Sequence, residues 1–305
     1  MREQYWHPKL PPQSRRNRRA RQVDSVVATE RFTHGVVAPK ERLEAAWWFA
    51  FQEDKLLVQP ESSQVTIPCL VNFDELCLPV MRQNYIGRLD GRHCYAVELP
   101  EGIAPPQGMT FEDLRRIYGR MEEGLFSVAG RALQIVDWDR THQFCGRCGM
   151  RTKTHPTERA KECPQCGALL FPRLAPAIIV LVKRGQEMLL ARARRFPTAM
   201  YSTLAGFVEP GETLEEAVVR EVHEETGIAV KEIRYFGSQP WPFPHSLMIG
   251  FTASYADGQI TLSDKENVDA GWFTADNLPP LPSKMSIARK LIDSFLKEQG
   301  RVPSS

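Results

Sequence analysis

The chain has 305 residues, 42% of them hydrophobic and 25% charged, with a formal net charge of +2. That length accommodates two domains with real cores, and the composition is that of an ordinary globular protein. No run reaches the roughly 18 apolar residues of a membrane helix, which argues against a membrane partner, and the near-neutral total charge names no partner.

Residues 1 to 24 hold seven Lys or Arg (Arg2, Lys9, Arg15, Arg16, Arg18, Arg19, Arg21) against Glu3 and Asp24, with Pro8, Pro11 and Pro12 and no apolar block. A signal peptide needs an apolar stretch behind its charges; none follows, so the expected setting is cytoplasmic. Residues 1–30 read as a basic, solvated and disordered tail, with a nucleic-acid arm as the alternative.

Residues 31–139 read as a mixed α/β domain. Ala45–Phe51 and Leu56–Val58 flank the polar turn Gln52-Glu53-Asp54-Lys55, which predicts a hairpin. Asp90-Gly91 between Asn84–Leu89 and His93–Leu99 is the strongest short hairpin signal in the chain. Helices are predicted over Thr110–Tyr118, with Thr110 as N-cap, and over Gly124–Trp138.

Residues 140–172 contain four of the seven cysteines, as two C-x2-C pairs, Cys145/Cys148 and Cys163/Cys166, with 14 residues between the pairs. Four thiolates paired this way suit a closed tetrahedral site for structural Zn²⁺, and Gly146, Gly149 and Gly167 relieve the tight turns. A redox role for one pair is the alternative. Arg147, Arg151, Lys153, Arg159 and Lys161 make the segment basic, which keeps RNA in view as a partner. Cys69, Cys77 and Cys94 sit among apolar neighbours and are expected to be buried thiols.

In residues 173–305, Ala177–Val182 is a continuous apolar run and predicts a buried strand, followed by a turn at Gly185-Gln186 and a second strand over Glu187–Ala193. A helix is predicted from about Thr213 to Thr226, stopping at Gly227. Strands near Ile228–Phe236 and Leu247–Tyr255 follow. A last helix from Ser286 places Ile287, Leu291, Ile292, Phe295 and Leu296 on one face. This mixture predicts an α+β protein with a sheet sandwiched between helices.

The chemistry concentrates in Gly206-Phe-Val-Glu-Pro-Gly-Glu212 and Arg220-Glu-Val-His-Glu-Glu-Thr-Gly-Ile228. On a helix, Glu221, Glu224 and Glu225 share a face, where they repel one another. A hard cation such as Mg²⁺ or Mn²⁺ relieves that repulsion, can polarise a phosphoryl group and can activate water. The alternative is a merely solvated acidic face. The run matches G-x5-E-x7-R-E-U-x-E-E-x-G-U, with U aliphatic, at every fixed position, and so resembles the Nudix box.

Ten residues on comes Ser238-Gln239-Pro240-Trp241-Pro242-Phe243-Pro244-His245-Ser246, a stiff array that alone would read as a rigid connecting loop. With the box and the cysteines, it makes Phe144 to about Leu296 resemble the NudC-type NADH pyrophosphatases. A weaker likeness reaches back over Arg116–Leu133. The resemblance implies a homodimer with an N-terminal mixed domain, a zinc ribbon and a C-terminal Nudix α/β/α sandwich. It implies hydrolysis of NAD(H) to NMN(H) and AMP, and in some members removal of the NAD cap from RNA. Metal ligands are then expected at Glu221, Glu224, Glu225, Glu266 and the Ala205 carbonyl, and substrate contacts at Phe171, Phe207, Gln239 to Ser246, Glu158, Arg116 and Ala288. Relatives often have Tyr where Phe171 stands, which keeps stacking but removes a hydroxyl. Glu224 and Glu266 are both candidates for the general base. Two alternatives remain: a Nudix diphosphatase for another nucleotide such as ADP-ribose, and an RNA-binding zinc-ribbon protein that recognises nucleotide ends.

Overall fold

The computed structural model describes residues 32–40, 44–195, 199–262 and 266–301; the expected tail over residues 1–30 lies outside them. The first unit contains β1 (Phe32–His34), β2 (Ala46–Gln52), β3 (Lys55–Glu61), β4 (Gln64–Thr66), β5 (Cys69–Leu70), β6 (Arg82–Leu89), β7 (Arg92–Leu99) and β8 (Thr110–Asp113), then helix α1 (Glu123–Thr141). The strands form one sheet with the path β1-β6-β7-β2-β3-β4, to which β5 adds on β2 and β8 on β3. Both predicted hairpins are present. β2 pairs β3 through Gln52↔Lys55, and β6 pairs β7 through Leu89↔Arg92. The second turn places Asp90 at φ 49 and Gly91 at φ 79, the pair of positive angles that a two-residue hairpin needs.

Two expectations are corrected here. Thr110–Tyr118 is not a helix: Thr110–Asp113 is strand β8, in register with Lys55–Val58 of β3, and turns follow. The free edge of β3 offers backbone partners that a short isolated helix cannot match. Of the three scattered cysteines, Cys94 is buried, but Cys69 is half-buried and Cys77 exposed. Cys77 caps a short 3-10 helix in the left-handed conformation, φ 53, which turns it away from the core.

One face of this sheet packs on α1 through Phe49, Phe51, Val58, Ile86 and Ala96 against Leu125, Val128, Ala132 and Leu133. The ribbon follows α1 directly, with strands β9 (Lys153–Thr154), β10 (Lys161–Glu162) and β11 (Leu169–Leu170). Lys161 fastens it to the first unit, its ammonium 2.6 Å from Asp139, with both side chains under a tenth exposed. Asn84 and Gln143 also donate to Asp139, so this buried pair has the extra hydrogen bonds that burial of charge demands.

The last unit holds β12 (Ala175–Arg184), β13 (Glu187–Ala193), β14 (Leu204–Phe207), α2 (Leu214–Thr226), β15 (Ala229–Trp241), β16 (Ser246–Asp257), β17 (Asn267–Thr274) and α3 (Ile287–Glu298). The sheet order is β15-β16-β12-β13-β17, with β14 on β12. β12 explains the unbroken apolar run. Ile178, Val180 and Val182 face the α2 side, whereas Ile179 and Leu181 face the α3 side, so both faces are buried. The result is a helix-sheet-helix sandwich inside an α+β protein. β15 runs five residues beyond its predicted end, through Trp241, because Gln239, Pro240 and Trp241 pair with Met248, Leu247 and Ser246 of β16.

Candidate active site

Helix α2 starts where the sequence says it should. Thr213 caps it in a capping box with Glu216, and Gly227 ends it at φ 70. Its apolar face, Ala217, Val218 and Val222, fixes its rotation against the sheet, and Glu221 of the same helix lies against β14. The contact there is close: a Cβ on Gly206 would lie 1.8 Å from the Glu221 carboxyl carbon, so any side chain at this position displaces the carboxylate. The register Ile178↔Gly206 and Ala177↔Phe207 on β12 sets that loop in place.

Arg220 organises the cluster. Its Nε donates to Glu212 at 2.7 Å and Nη1 to Glu221 at 2.8 Å and Glu224 at 3.1 Å, while Nη2 donates to Glu212 and to the Phe207 carbonyl. This bidentate hold, joined by the Glu209 amide, pulls the Glu212 carboxyl down to about 2. Arg220 thus ties the glycine loop to the helix and has its donors committed.

Glu225 is buried. Burial, reinforced by the negative charges of Glu221 and Glu266, pushes its carboxyl up to about 7 despite a hydrogen bond from Asn267. Its Oε1 is buried without a hydrogen-bond partner, an arrangement that costs free energy unless something cationic meets it. Glu221 is raised too, first by burial, with the charges of Glu224 and Glu266 adding to it against Arg220. Glu224 leans outward, its side chain 58% exposed. Glu266 is exposed beside Asn267, and its carbonyl accepts from the Arg194 amide.

Other expected positions are distributed over three surfaces. Ala205 and Phe207 flank Gly206 on β14, and the Phe207 ring is 58% exposed. Gln239 clips the start of α3, accepting from the Ile287 amide and donating to the Met285 carbonyl, while Ala288 is buried in that helix. The array then crosses to the first unit. Pro242 packs on Gly130 of α1, the Phe243 ring lies 4.2 Å under the Arg115 guanidinium, and Trp241 meets Phe243 edge-on. Pro242, Phe243 and Pro244 line a cavity of about 310 Å³ with Asp54, Asp113, Arg115 and Asp137. Pro240 is exposed, Ser246 is buried, and the His245 carbonyl accepts from Ala175. Among the described residues no hydrogen bond or ion pair joins Arg116, Glu158 or Phe171 to the glutamates; Phe171 is 54% exposed. Asn267 and Arg115 escaped the reading of the sequence, because neither carries a local signal and both act on partners distant in the chain.

The cysteines assemble separately. All four sulfurs lie within 4.8 Å of one another, with Cys145 to Cys166 at 3.7 Å and Cys148 to Cys163 at 3.4 Å. Ligands at the ~2.3 Å of a zinc–thiolate bond stand about 3.8 Å apart around a tetrahedral centre, so the four fit structural zinc.

The chain is similar to known proteins over three segments. Residues 172–295 match the model of the NUDIX domain, 45–138 that of the NADH pyrophosphatase-like rudimentary NUDIX domain, and 140–171 that of the NADH pyrophosphatase zinc ribbon domain. The chain is 50% identical over 219 residues to the NAD-capped RNA hydrolase NudC of Pseudomonas aeruginosa PAO1, covering 72% of this chain and 78% of that protein. It is 48% identical over 219 residues to the NudC of Pseudomonas fluorescens Pf0-1, covering 72% and 79%. A crystal structure of a NUDIX hydrolase from Nitrosomonas europaea superposes with a TM-score of 0.45 at 20% identity, over 53% of this chain and 96% of that one.

Proposed function

This chain belongs to the Nudix family, in the branch that joins a NADH pyrophosphatase-like domain and zinc ribbon to a Nudix domain, and from that premise we propose that it hydrolyses NAD(H) to NMN(H) and AMP and removes the NAD cap from RNA 5′ ends. One observation carries the reading. Glu225 has a buried carboxylate oxygen without a partner, facing the charges of Glu221 and Glu266. A cation resolves that arrangement, and an all-oxygen donor set selects Mg²⁺ or Mn²⁺.

Glu221, Glu224, Glu225, Glu266 and the Ala205 carbonyl would hold it. When bound, the ion supplies charge neutralisation at the diphosphate and lowers the pKa of water. The chain's own residues do the rest. Arg220 and Gly206 hold the carboxylates in place, and Glu224 or Glu266 accepts the proton of the attacking water. Phe171 and Phe207 offer exposed rings for the planar bases. Arg116, Glu158, Gln239 to Ser246 and Ala288 complete the contacts to the dinucleotide. Among the described residues Arg116, Glu158 and Phe171 make no bond to the glutamates, and in the proposed homodimer a second copy contributes them. The reading carries with it a cytoplasmic setting, where zinc thiolates stay reduced. Among the described residues no helix is long and apolar enough to cross a membrane.

The test is a comparison of kcat/KM for NADH, NAD-capped RNA and ADP-ribose, with Mg²⁺ or Mn²⁺. NAD(H) and NAD-capped RNA should lead. A lead for ADP-ribose would overturn the assignment, and no turnover of any of the three would leave only nucleotide-end binding.

A further inference from the structure

Arg82, Arg120, Arg140, Arg220 and Arg289 are all partly or fully buried, and each meets a carboxylate within 3.3 Å. Three other half-buried arginines, Arg131, Arg159 and Arg192, have no such pair among the described residues, and the first two lie together. Arg131 of α1 reaches both ring nitrogens of His34, at 3.1 and 3.0 Å, and its guanidinium lies 4.6 Å over the Phe32 ring. Its Nε is buried with no hydrogen-bond partner. Arg159 of the ribbon reaches across to donate to the carbonyls of Gly35 and Tyr85. The two guanidinium charges act on each other and on the His34 ring, which burial and both arginines push toward its neutral form. Among the described residues neither arginine has an ion pair with an acid.

We propose that His34, Arg131 and Arg159 form a binding site for a phosphate group where β1, α1 and the zinc ribbon meet. Two planar guanidinium forks and an imidazole converge there, with Arg131 Nε still lacking an acceptor, and a phosphate group supplies several acceptor oxygens and the missing charge. Phe32 stands edge-on to His34 with ring centroids 5.4 Å apart, which adds an aromatic face to the cationic group. Arg131 is also the neighbour of Gly130, on which Pro242 of the array packs. The phosphate can therefore come from the backbone of an RNA whose cap lies at the array, a source that rests on the function proposed above, or from free phosphate.

The experiment uses the full-length, zinc-loaded protein in two arms. In the first, hydrogen exchange over residues 32–36 and 156–160 of the wild type is measured with phosphate against chloride at equal ionic strength. In the second, KM for NADH and for NAD-capped RNA is measured across a salt series for the wild type, Arg131→Gln/Arg159→Gln and Arg131→Lys/Arg159→Lys. The glutamine pair should raise KM for the RNA about 10-fold and flatten its salt slope by about 0.7 for each phosphate it no longer neutralises, with NADH kinetics unchanged and the lysine pair close to wild type. Slowed exchange with RNA kinetics unmoved would support the site with free phosphate as its ligand. Unmoved exchange together with unmoved RNA kinetics would overturn it. If the glutamine pair fails to fold, the wild-type exchange arm decides by itself. Absent NADH turnover in the wild type would sink the proposed function and leave that arm to judge this site.

Discussion

The four cysteines of the ribbon stand 3.4 to 3.7 Å apart for the pairs in contact, whereas the glutamates of α2 are spread between a buried Glu225 and an outward Glu224 with Arg220 bridging them. The cysteines fit a zinc ion, and on the proposed reading the glutamates hold Mg²⁺ or Mn²⁺, so the two groups answer different demands. Tight turns at Cys145–Gly149 and Cys163–Gly167, in which the glycine amide bonds back to the first cysteine's carbonyl, close the sulfurs on all sides. The glutamate group is open, with Arg220 bridging its carboxylates against their repulsion, and the proposed activity would use that room for water and phosphate oxygens. A closed set suits the fold, and an open set suits the proposed turnover.

Breaking the closed set should have the largest effect. Cys163→Ser is expected to lose zinc and thermal stability together, since structural zinc contributes on the order of 10 kcal/mol in small zinc domains. Elemental analysis and thermal melts of the purified variant check this, and wild-type protein prepared without chelators and still free of zinc would refute it. The open set should behave oppositely. Glu224→Gln is expected to leave the melting curve intact and cost at least ~100-fold in kcat, because its carboxylate is exposed and makes only one bond to Arg220. Retention of more than about a tenth of kcat would remove Glu224 from the machinery.

A smaller effect sharpens the contrast between ligand and substrate surface. Phe207→Ala should reduce kcat/KM for NADH by roughly 5- to 150-fold, the value of ~1–3 kcal/mol for a stacked base. The control is a diphosphate with no base to stack; an equal loss there would mean that the ring only holds the loop.

The smallest effect is a pH dependence. Glu225 is raised from 4.5 to about 7 by burial and by its acidic neighbours. In that window the folded chain keeps a proton that the unfolded chain has released, so stability without added Mg²⁺ falls as pH rises from 4.5 to 7. The increase in melting temperature produced by Mg²⁺ should grow over the same window, and Glu225→Gln should flatten it. A Mg²⁺ effect independent of pH would show that Glu225 is not the group the ion relieves.

What could be read directly was local. The capping box at Thr213, the stop at Gly227, the turn at Asp90-Gly91 and the paired cysteines each depend on residues a few positions apart. The failure at Thr110–Tyr118 has the converse cause. Thr110, Glu112 and Asp113 look like a helix start, but the open edge of β3, more than fifty residues earlier, recruits them as a strand. The extension of β15 through Trp241 has the same origin, since its partner β16 begins only at Ser246.

The sequence by itself determined that a carboxylate helix follows a glycine loop and that four thiolates can close on one ion, because helical period and turn geometry act over short spans. Tertiary structure alone decided which carboxylate is buried. Glu221 and Glu225 share a helix face with Glu224, yet only the first two are covered, by β14 and by Asn267. It also decided that Pro242 and Phe243 meet α1 and Arg115, and that Arg131 and Arg159 converge with no acid paired to them among the described residues. Burial and charge proximity depend on which distant segments pack together, and no spacing along the chain encodes that.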